Sequence, residues 1–410
     1  MGVESKMSMR PFRQLIHREE ALEIIKKNIN RVNEKEKTPI EDASYRILAE
    51  EIFAEFNVPP FDRSSMDGYA VKAQDTFNAG QFNAAILKQV GVEHAGEVFR
   101  GIVNEGECIQ IATGSPIPNG ADAVVMVEYT EANGDNISIK RPVYPGANIA
   151  KAGEDIKKGE KVLKQEDLLT PAKVGALAAL GLTHIEVYSR PKVAIFSTGT
   201  EIVPPGKPLN PGEIYDINSY TLHGIVESNG CIPIKKGIIK DDKESIINAL
   251  EESQNYDLLV FSGGSSVGEK DLLSIVLSEK GRILFHGVQI KPGKPTLFGK
   301  MKGIPVFGMP GYPTSCLSNA YQFLIPALRI LSGMTQFKPV KKRMHMGHRI
   351  VSASGREQFL TVKIKDGKAY IVYKQSGDIT SMVNAEGYII LPINQDTLEE
   401  GEDVTVFLLE

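Results

Sequence analysis

The sequence predicts a multidomain protein of the α/β plus β class, with one central, mostly parallel α/β sheet domain. Between residues 191 and 331, short continuous apolar runs alternate with helical patterns, as in a parallel sheet covered by helices on both faces. Residues 51–147 and 336–410 instead carry short apolar runs separated by Gly, Pro and Asn, which is typical of strands and loops. The first of these β-rich stretches interrupts a region of helical periodicity, so it is predicted to be an insertion.

The region around this insertion is predicted to be a mostly helical scaffold domain, built from residues 1–50 and 148–180. Apolar residues at helical spacing indicate a helix over residues 17–32. Thr170 at the N-cap, with Pro171 at the first helical position, predicts a second helix. The β-rich insertion separates the two parts of this scaffold.

Residues 181–335 are assigned to the α/β domain and residues 336–410 to a small C-terminal β-barrel. The strands predicted in the α/β domain are PKVAIFSTG, IPIKKGII, DLLVFSGG, ILFHGVQI and IPVFGMP. In the barrel, a hairpin is predicted around Asp366-Gly367, which is a favourable pair for a tight turn. The runs YIILP and VTVFLL complete this β module.

The composition is that of an ordinary globular protein and argues against several functional classes. Over 410 residues, 47 Lys and Arg stand against 51 Asp and Glu, and a formal net charge of −4 argues against a general nucleic-acid binder. The three cysteines are far apart, so neither a disulfide framework nor a structural zinc site is expected. No apolar run approaches the roughly 18 residues of a membrane span, and the start lacks a signal-peptide pattern. We therefore expect a cytoplasmic protein with no membrane or nucleic-acid partner.

Four loops at predicted strand ends are typical of a site for a phosphate-bearing ligand. They are residues 197–201, 262–268, 291–295 and 308–315. Ligands of parallel α/β sheets bind at the carboxyl ends of the strands, and glycines let backbone N–H groups approach an anion closely. The two lysines of the third loop, held between prolines, suit a dianion. Each loop alone could be an ordinary turn, but four at one sheet edge indicate a nucleotide-like ligand.

Carboxylates in the same domain are candidates for holding Mg²⁺ beside such phosphates, because hard oxygen ligands are those that Mg²⁺ prefers. Glu201 and Asp271 are the better candidates, since they adjoin two of the phosphate-type loops. Asp241 and Asp242 precede a predicted helix and could equally cap it, and Asp216 is a further carboxylate.

The insertion has two polar, turn-rich loops of its own. They are PPFDRSSMDGYA, starting at Pro59, and ATGSPIP, starting at Ala112. Taken alone, both are compatible with purely structural loops.

Taken together, these motifs make the chain resemble the family of MoeA and the gephyrin E domain, the molybdopterin molybdenumtransferases. The motifs that carry the resemblance are FDRSSMDGYAV, IATGSPIP, STGTEI, SGGSSVGEKD, IKPGKP and GMPGYPTS, in the order of the family. The resemblance extends over essentially the whole chain. It implies a homodimer of four-domain subunits, each with a scaffold, an inserted β-rich domain, a MogA-like α/β domain and a C-terminal β-barrel.

The reaction implied by the resemblance is the final step of molybdenum cofactor biosynthesis. Molybdate or tungstate is inserted into adenylated molybdopterin, and AMP is released with the help of Mg²⁺. The catalytic residues that the resemblance implies are Asp62, Thr113, Glu201, Asp271, Lys291 and Lys294, with Glu201 and Asp271 as metal ligands. The substrate-binding residues that it implies are Ser262, Gly263, Gly264, Ser265, Gly311, Pro313, Asp241, Asp242, Arg356 and Ser376, with Ser381 as an alternative to Ser376.

The resemblance also implies an active site shared between the two subunits, and it suggests contact with the molybdopterin adenylyltransferase. Two other functions stay open. A non-catalytic scaffold like gephyrin is disfavoured by the intact Lys291, Lys294 and Asp271. A molybdopterin adenylyltransferase would share the α/β domain and its SGG loop, but it would lack the insertion and the barrel.

Overall fold

A computed structural model describes residues 15–263, 271–335, 338–352 and 355–409. The described residues divide between two compact units. The smaller, here called the N-terminal unit, comprises Lys37–Ser44 and Leu48–Glu186. The larger, here called the main unit, takes the described residues of Met1–Glu36, Tyr45–Ile47 and Val187–Glu410.

Short strands dominate the first half of the chain, and longer strands alternate with helices after it. Up to residue 188 the elements are α1 (Arg18–Asn28), β1 (Lys35–Pro39), β2 (Ile52–Phe53), β3 (Arg63–Ser64), β4 (Gly68–Val71), β5 (Ala85–Glu93), β6 (Glu107–Ile111), β7 (Ala123–Met126), β8 (Thr130–Asn133), β9 (Asn136–Ile139), β10 (Ile149–Ala150), β11 (Lys161–Leu163), α2 (Pro171–Ala179) and β12 (His184–Tyr188). Those that follow are β13 (Lys192–Thr198), β14 (Ile202–Val203), β15 (Ile214–Tyr215), α3 (Asn218–Ser228), β16 (Ile232–Ile239), α4 (Lys243–Glu251), β17 (Leu258–Ser262), α5 (Leu272–Lys280), β18 (Arg282–His286), β19 (Ile290–Lys291), β20 (Leu297–Met301), β21 (Ile304–Met309), α6 (Pro313–Asn319), α7 (Ile325–Ser332), β22 (Lys341–Met346), β23 (Ile350–Val351), β24 (Glu357–Lys365), β25 (Lys368–Ile371), α8 (Thr380–Val383), β26 (Gly387–Leu391), β27 (Thr397–Leu398) and β28 (Asp403–Leu408). A π-helical turn, Ala320–Leu324, joins α6 to α7.

The core of the N-terminal unit is a mixed sheet in the order β7-β4-β6-β5-β9-β8. Strand β4 is antiparallel to both of its neighbours, and β5 runs parallel to β6. Side chains at alternate positions of these strands, such as Cys108, Val125 and Ile137, are buried in one apolar cluster. The β-rich character expected for the insertion is therefore present.

The rest of the N-terminal unit is not mostly helical, contrary to the prediction for residues 148–180. In this fully described segment, β10 and β11 pair with β3 and β2, and α2 is the helix. The reason is local: Gly153 and Gly159 adopt φ values of +74° and +85°, which break a helix and are easily reached by glycine.

The helix expected near the start of the chain is present, but it does not join the scaffold. Helix α1 buries Ala21 and Ile25 in the same apolar cluster as Val193 and Phe307 of the α/β sheet. It therefore belongs to the main unit, which differs from the assignment of residues 1–50 to the domain of residues 148–180.

The main unit contains a six-stranded sheet in the order β16-β13-β17-β21-β20-β18. The first four strands are parallel, and β20 is antiparallel to both β21 and β18. The predicted mostly parallel sheet is thus confirmed. Because β16, β13, β17, β21 and β18 point the same way, their carboxyl ends lie along one edge of the sheet.

Helices cover both faces of this sheet. Val193 and Val260 point to the face covered by α1, α3, α6 and α7, whereas their neighbours Ala194 and Phe261 point to the face covered by α4 and α5. This alternation within continuous apolar strands is what a sheet buried on both faces requires.

The C-terminal strands close into the predicted small barrel. Strands β24, β25, β22, β28 and β26 pair in that order, and β26 pairs back with β24 to complete the ring. The hairpin between β24 and β25 turns at Asp366 and Gly367, which have φ values of +50° and +74°. Strand β19, from the α/β part, adds to β24 in parallel.

Within the part of the chain that the structure describes, no helix is both long and apolar enough to cross a membrane.

Candidate functional site

The loops that follow β13, β17 and β21 contact one another at the carboxyl edge of the sheet. The N–H of Gly263 donates to the carbonyl of Met309 at 3.3 Å. A Cβ added to Gly263 would lie 2.2 Å from the carbonyl oxygen of Thr198, and its φ is +95°, so only glycine fits between these loops. The sequence-predicted convergence of these loops is therefore present.

Two buried polar residues, Asp216 just before α3 and Asn218 at its first position, hold these loops together. Nδ2 of Asn218 donates to Oγ of Ser262 at 2.7 Å and to the carbonyl of Gly311 at 2.8 Å. Oγ of Ser197 donates to Oδ2 of Asp216 at 2.9 Å. The segment that joins β15 to α3 thus contacts the ends of β13 and β17 and the loop after β21, a role that sequence reasoning did not assign to Asn218.

The Gly-rich loop after β17 is described only in part. Ser262 is buried at the end of the strand, and Gly263 follows it. Gly264 and Ser265, which were also predicted to bind substrate, lie outside the described residues.

The lysine loop, Lys291–Pro295, lies between the α/β sheet and the barrel. Its first residue belongs to β19, where Ile290 and Lys291 pair with Glu357 and Gln358 of β24. Lys291 and Lys294 are both half-buried, while the Pro292-Gly293 segment between them is buried. The backbone of this loop is therefore fixed, and its two lysine side chains retain partial access to solvent.

A cavity of about 260 Å³ opens between Lys291 and the barrel. Its polar lining includes Lys291, Ser352, Gln358, Tyr373 and Lys374, and the last four were not singled out from the sequence. The volume would hold several water molecules, each of which takes about 30 Å³ in the liquid. It is thus large enough for a small oxyanion beside a lysine.

The predicted barrel residues lie near two different loops of the α/β part. Arg356 is exposed and directly precedes the strand that pairs with β19. The carbonyl of Ser376 accepts the N–H of Thr314, at the start of α6 directly after the loop that follows β21, at 3.0 Å. By contrast, Ser381 is fully buried, and its Oγ accepts the N–H of Lys374. Ser376 is thus joined through its backbone to a predicted substrate loop, and Ser381 through its hydroxyl to Lys374.

The predicted carboxylates differ in burial and in the hydrogen bonds that they accept from the protein. Glu201 is exposed, and Asp241 is half-buried. Asp242 caps α4 by accepting the N–H of Ser245 at 2.8 Å. Across the described ranges of the chain, no three His, Cys, Asp or Glu side chains are grouped closely enough to form a metal site by themselves.

Asp271 is buried at the N-terminus of α5. Its Oδ1 accepts the N–H of Ser274 at 3.1 Å, and its Oδ2 lies 2.9 Å from Nε2 of His286, at the end of β18. The residue is therefore a helix cap as well as a candidate ligand, and His286 is a neighbour that sequence reasoning missed.

The N-terminal unit brings together the two polar loops of the insertion. The carbonyl of Asp62 accepts the N–H of Ile117 at 2.9 Å, which joins the first loop to the second. Oδ1 of Asp67 accepts both the N–H and the hydroxyl of Thr113, at 2.7 and 2.9 Å. Hydrogen bonds from the backbone and then the hydroxyl of Thr113 lower the pKa of Asp67.

Asp62 itself is held as an anion. Its Oδ2 lies 2.7 Å from Nζ of Lys151, and its Oδ1 accepts the N–H of Ala152 at 2.9 Å. The hydrogen bond from Lys151 and then that from Ala152 lower the pKa of Asp62. Neither Asp67 nor Lys151 was predicted, although Asp67 stands inside the motif that contains Asp62.

The predicted residues thus fall into two sets, one in each compact unit. Asp62, which is half-buried, and Thr113, which is exposed, lie on adjoining loops of the N-terminal unit. The lysine loop, the three strand-end loops and the barrel residues form the other in the main unit.

Comparisons with known proteins agree with these observations along nearly the whole chain. Residues 16–181 match the family model described as "MoeA N-terminal region (domain I and II)", and residues 343–409 match "MoeA C-terminal region (domain IV)". Residues 194–330 match the model described as "Probable molybdopterin binding domain".

Curated relatives and a solved structure extend over the same length. Proteins named molybdopterin molybdenumtransferase from Haemophilus influenzae and Bacillus subtilis are 35% and 32% identical, over 90% and 92% of this chain and 92% and 90% of their own. The crystal structure of a molybdopterin biosynthesis MoeA protein from Pyrococcus horikoshii OT3 is 36% identical with a TM-score of 0.81, covering 97% of this chain and 100% of that one. By its family models, its relatives and its fold, the chain belongs to the MoeA family.

Proposed function

We propose that this chain catalyses the final step of molybdenum cofactor biosynthesis. Molybdate or tungstate is inserted into the dithiolene of adenylated molybdopterin, the phosphoanhydride is cleaved, and AMP leaves. The observation that carries the proposal is the contact among three phosphate-type loops, together with a fixed lysine loop that follows β18 at the same edge of the sheet. The names of the curated relatives support the same reaction.

Lys291 and Lys294 supply the positive charge for this chemistry. A dianion such as molybdate, or a phosphate of the substrate, forms its strongest hydrogen bonds with charged donors and with backbone N–H groups. Both ammonium groups extend from a loop whose backbone is held by β24, so little ordering is needed when the anion binds. We assign them to binding the anionic substrate and stabilising charge that develops during cleavage.

Arg356 and Ser376 are proposed to complete the oxyanion site on the barrel side. Arg356 adjoins the strand paired with Lys291, and Ser376 adjoins the loop of Gly311 and Pro313. Arginine offers a planar fork of donors that fits an oxyanion. This arrangement suits molybdate and tungstate equally.

Glu201 and Asp271, two carboxylates at the carboxyl edge of the sheet, are the proposed Mg²⁺ ligands. Mg²⁺ is commonly held by one or two carboxylates together with water and substrate phosphate, so a cluster of three protein ligands is not required. Asp271 is already engaged by Ser274 and His286, but a carboxylate has about four acceptor positions and can keep its cap. When bound, the ion would neutralise negative charge on the phosphoanhydride.

Replacing Asp271 by asparagine is expected to shift the Mg²⁺ dependence of AMP release without unfolding the protein. Asparagine caps a helix about as well as aspartate, so α5 should be retained, but it lacks the negative charge that attracts the cation. The measurement is initial AMP release against Mg²⁺ concentration, together with Tm.

The matched control for this variant is Asp257→Asn. Asp257 accepts the N–H of Lys192 at 2.7 Å, at the opposite edge of the same sheet. The Asp257→Asn variant therefore loses the same negative charge at a place away from the site. A wild-type Mg²⁺ titration for Asp271→Asn would mean that Asp271 is only a helix cap.

We further propose that the enzyme is a homodimer whose active site is shared between subunits. Asp62 and Thr113 lie in the N-terminal unit and the lysine loop in the main unit. The family resemblance implies that the insertion of one subunit faces the α/β and barrel domains of the other. The same resemblance suggests contact with the molybdopterin adenylyltransferase that supplies the adenylated substrate.

One assay separates the proposed activity from its alternatives. The purified protein is mixed with adenylated molybdopterin and Mg²⁺, and AMP is measured before and after molybdate is added. Molybdate-dependent AMP release supports the proposal, and its absence with correctly folded protein would favour a non-catalytic scaffold. Consumption of ATP with unadenylated molybdopterin would indicate an adenylyltransferase instead.

A further inference from the structure

The backbone of the lysine loop is held at Gly293 by the buried side-chain amide of Asn319. Asn319 is the last residue of α6, directly before the π-helical turn, and its side chain has no solvent exposure. Its Nδ2 donates to the carbonyl of Gly293 at 2.8 Å and to Oγ1 of Thr296. Gly293 lies between Lys291 and Lys294 in the sequence.

The hydrogen-bond pattern identifies which end of the amide faces the loop. Oγ1 of Thr296 donates its proton to the carbonyl of Gly293 at 2.9 Å, so it can only accept from Asn319. The carbonyl of Gly293 is also an acceptor. Both neighbours therefore need a donor, and the NH₂ group of Asn319 is the end that supplies it.

The loop and Asn319 also approach each other too closely for any other residue at position 293. A Cβ on Gly293 would lie 2.3 Å from both Nδ2 and Oδ1 of Asn319, and Gly293 has a φ of +95°. The start of the loop is fixed by the pairing of Ile290 and Lys291 with β24. The loop is thus clamped between a barrel strand and one amide on α6.

We propose that Asn319 is a positioning residue that sets the separation of the two lysine ammonium groups for a tetrahedral oxyanion. Asn319 does not touch the substrate. It acts through Gly293, which lies two residues after Lys291 and one before Lys294. This inference rests on the proposed function, because it names the residue that tunes that site for molybdate-class dianions.

The test compares Asn319→Leu, which keeps the branching of the side chain, is somewhat larger and removes the donor, with the isosteric change Thr296→Val. The matched control is Asn229→Leu, because Asn229 is another buried amide, whose Nδ2 donates to the carbonyl of Ile225 at 2.8 Å at the far end of α3. The measurements are kcat and KM for molybdate, KM for adenylated molybdopterin, Tm, and hydrogen exchange of the backbone amides around the lysine loop without substrate.

We expect Asn319→Leu to lower kcat/KM for molybdate by up to about 100-fold, because a displacement on the order of 1 Å can cost that much. Exchange in the lysine loop should become faster. Thr296→Val should cause a smaller change of the same kind and should be non-additive with Asn319→Leu, since both remove parts of one network. Asn229→Leu should lower Tm but leave the molybdate kinetics and the exchange of the loop unchanged.

Wild-type loop exchange and wild-type KM for molybdate in Asn319→Leu would overturn the inference, as would an equal effect of Asn229→Leu. If Asn319→Leu does not fold, Thr296→Val alone decides by the same two measurements. If the wild-type protein releases no AMP, the proposed function fails. The positioning role is then judged by hydrogen exchange of the loop and by calorimetric binding of inorganic molybdate. Faster exchange and weaker molybdate binding in Asn319→Leu would support it, and wild-type values of both would overturn it.

Discussion

Replacing Lys291 and Lys294 together by alanine is expected to reduce kcat/KM for molybdate by about 10²–10⁴-fold, with little change in Tm. Each charge-assisted hydrogen bond to the anion contributes about 1.5–3 kcal/mol, and about 1.4 kcal/mol corresponds to a factor of ten in rate. Each single variant should lose most of the activity. The fold should be retained, because the start of the loop is held by backbone pairing of Ile290 and Lys291 with β24.

The control for this prediction removes two lysine charges from a surface away from the proposed site. Lys363 and Lys365 are exposed on β24 of the barrel, so their double replacement by alanine also lowers the net charge by two. The control should retain wild-type kinetics. Wild-type turnover of the Lys291/Lys294 double variant at limiting substrate would contradict the role assigned to the lysine loop.

Mixing two inactive variants is expected to restore activity if the site is shared between subunits. Asp62→Ala and Lys291→Ala homodimers should each be nearly inactive, since one lacks the carboxylate of the N-terminal unit and the other a cation of the main unit. In a heterodimer, both lesions fall in one site and the second site is intact. Such a heterodimer should recover up to about half of the wild-type activity.

The measurement requires heterodimers purified through two different affinity tags, with their composition verified by mass spectrometry. A heterodimer of wild-type and doubly substituted subunits is the control, because its two lesions fall in different sites and neither site is intact. Pure Asp62→Ala/Lys291→Ala heterodimers that stay inactive would show that each subunit works with its own insertion.

Much of the fold could be predicted because its strands carry a strong local signal. The parallel strands of the α/β domain, such as residues 192–198, are nearly continuous apolar runs, which are typical of a sheet covered on both faces. The scaffold was harder, because β10 and β11 have two and three residues and show no periodicity. The spacing of α1 predicted a helix with one apolar face, but periodicity alone does not say which domain covers that face.

Site residues could be predicted where they lie together in one short sequence motif. They could not be predicted where they depend on contacts between residues far apart in the sequence. The glycines and lysines of the four loops lie within short motifs. The amide of Asn218 donates to Ser262 and Gly311, which are 44 and 93 residues away. Likewise, Asp67 has its partner Thr113 at a distance of 46 residues, and nothing in the spacing of these residues indicates the contact.

The pairing of β19 with β24 limits how this protein can be taken apart. Strand β19, Ile290–Lys291, pairs with β24 of a barrel whose own strands begin about fifty residues later in the chain. Cutting the barrel away would leave the N–H and C=O groups of that strand without their partners, and exposed strand edges are prone to rearrange or aggregate. The barrel therefore cannot be exchanged on its own. A chimera that takes the barrel from another protein must also take that protein's segment around Lys291. Otherwise the chimera loses both the β19–β24 pairing and the position of its lysine loop.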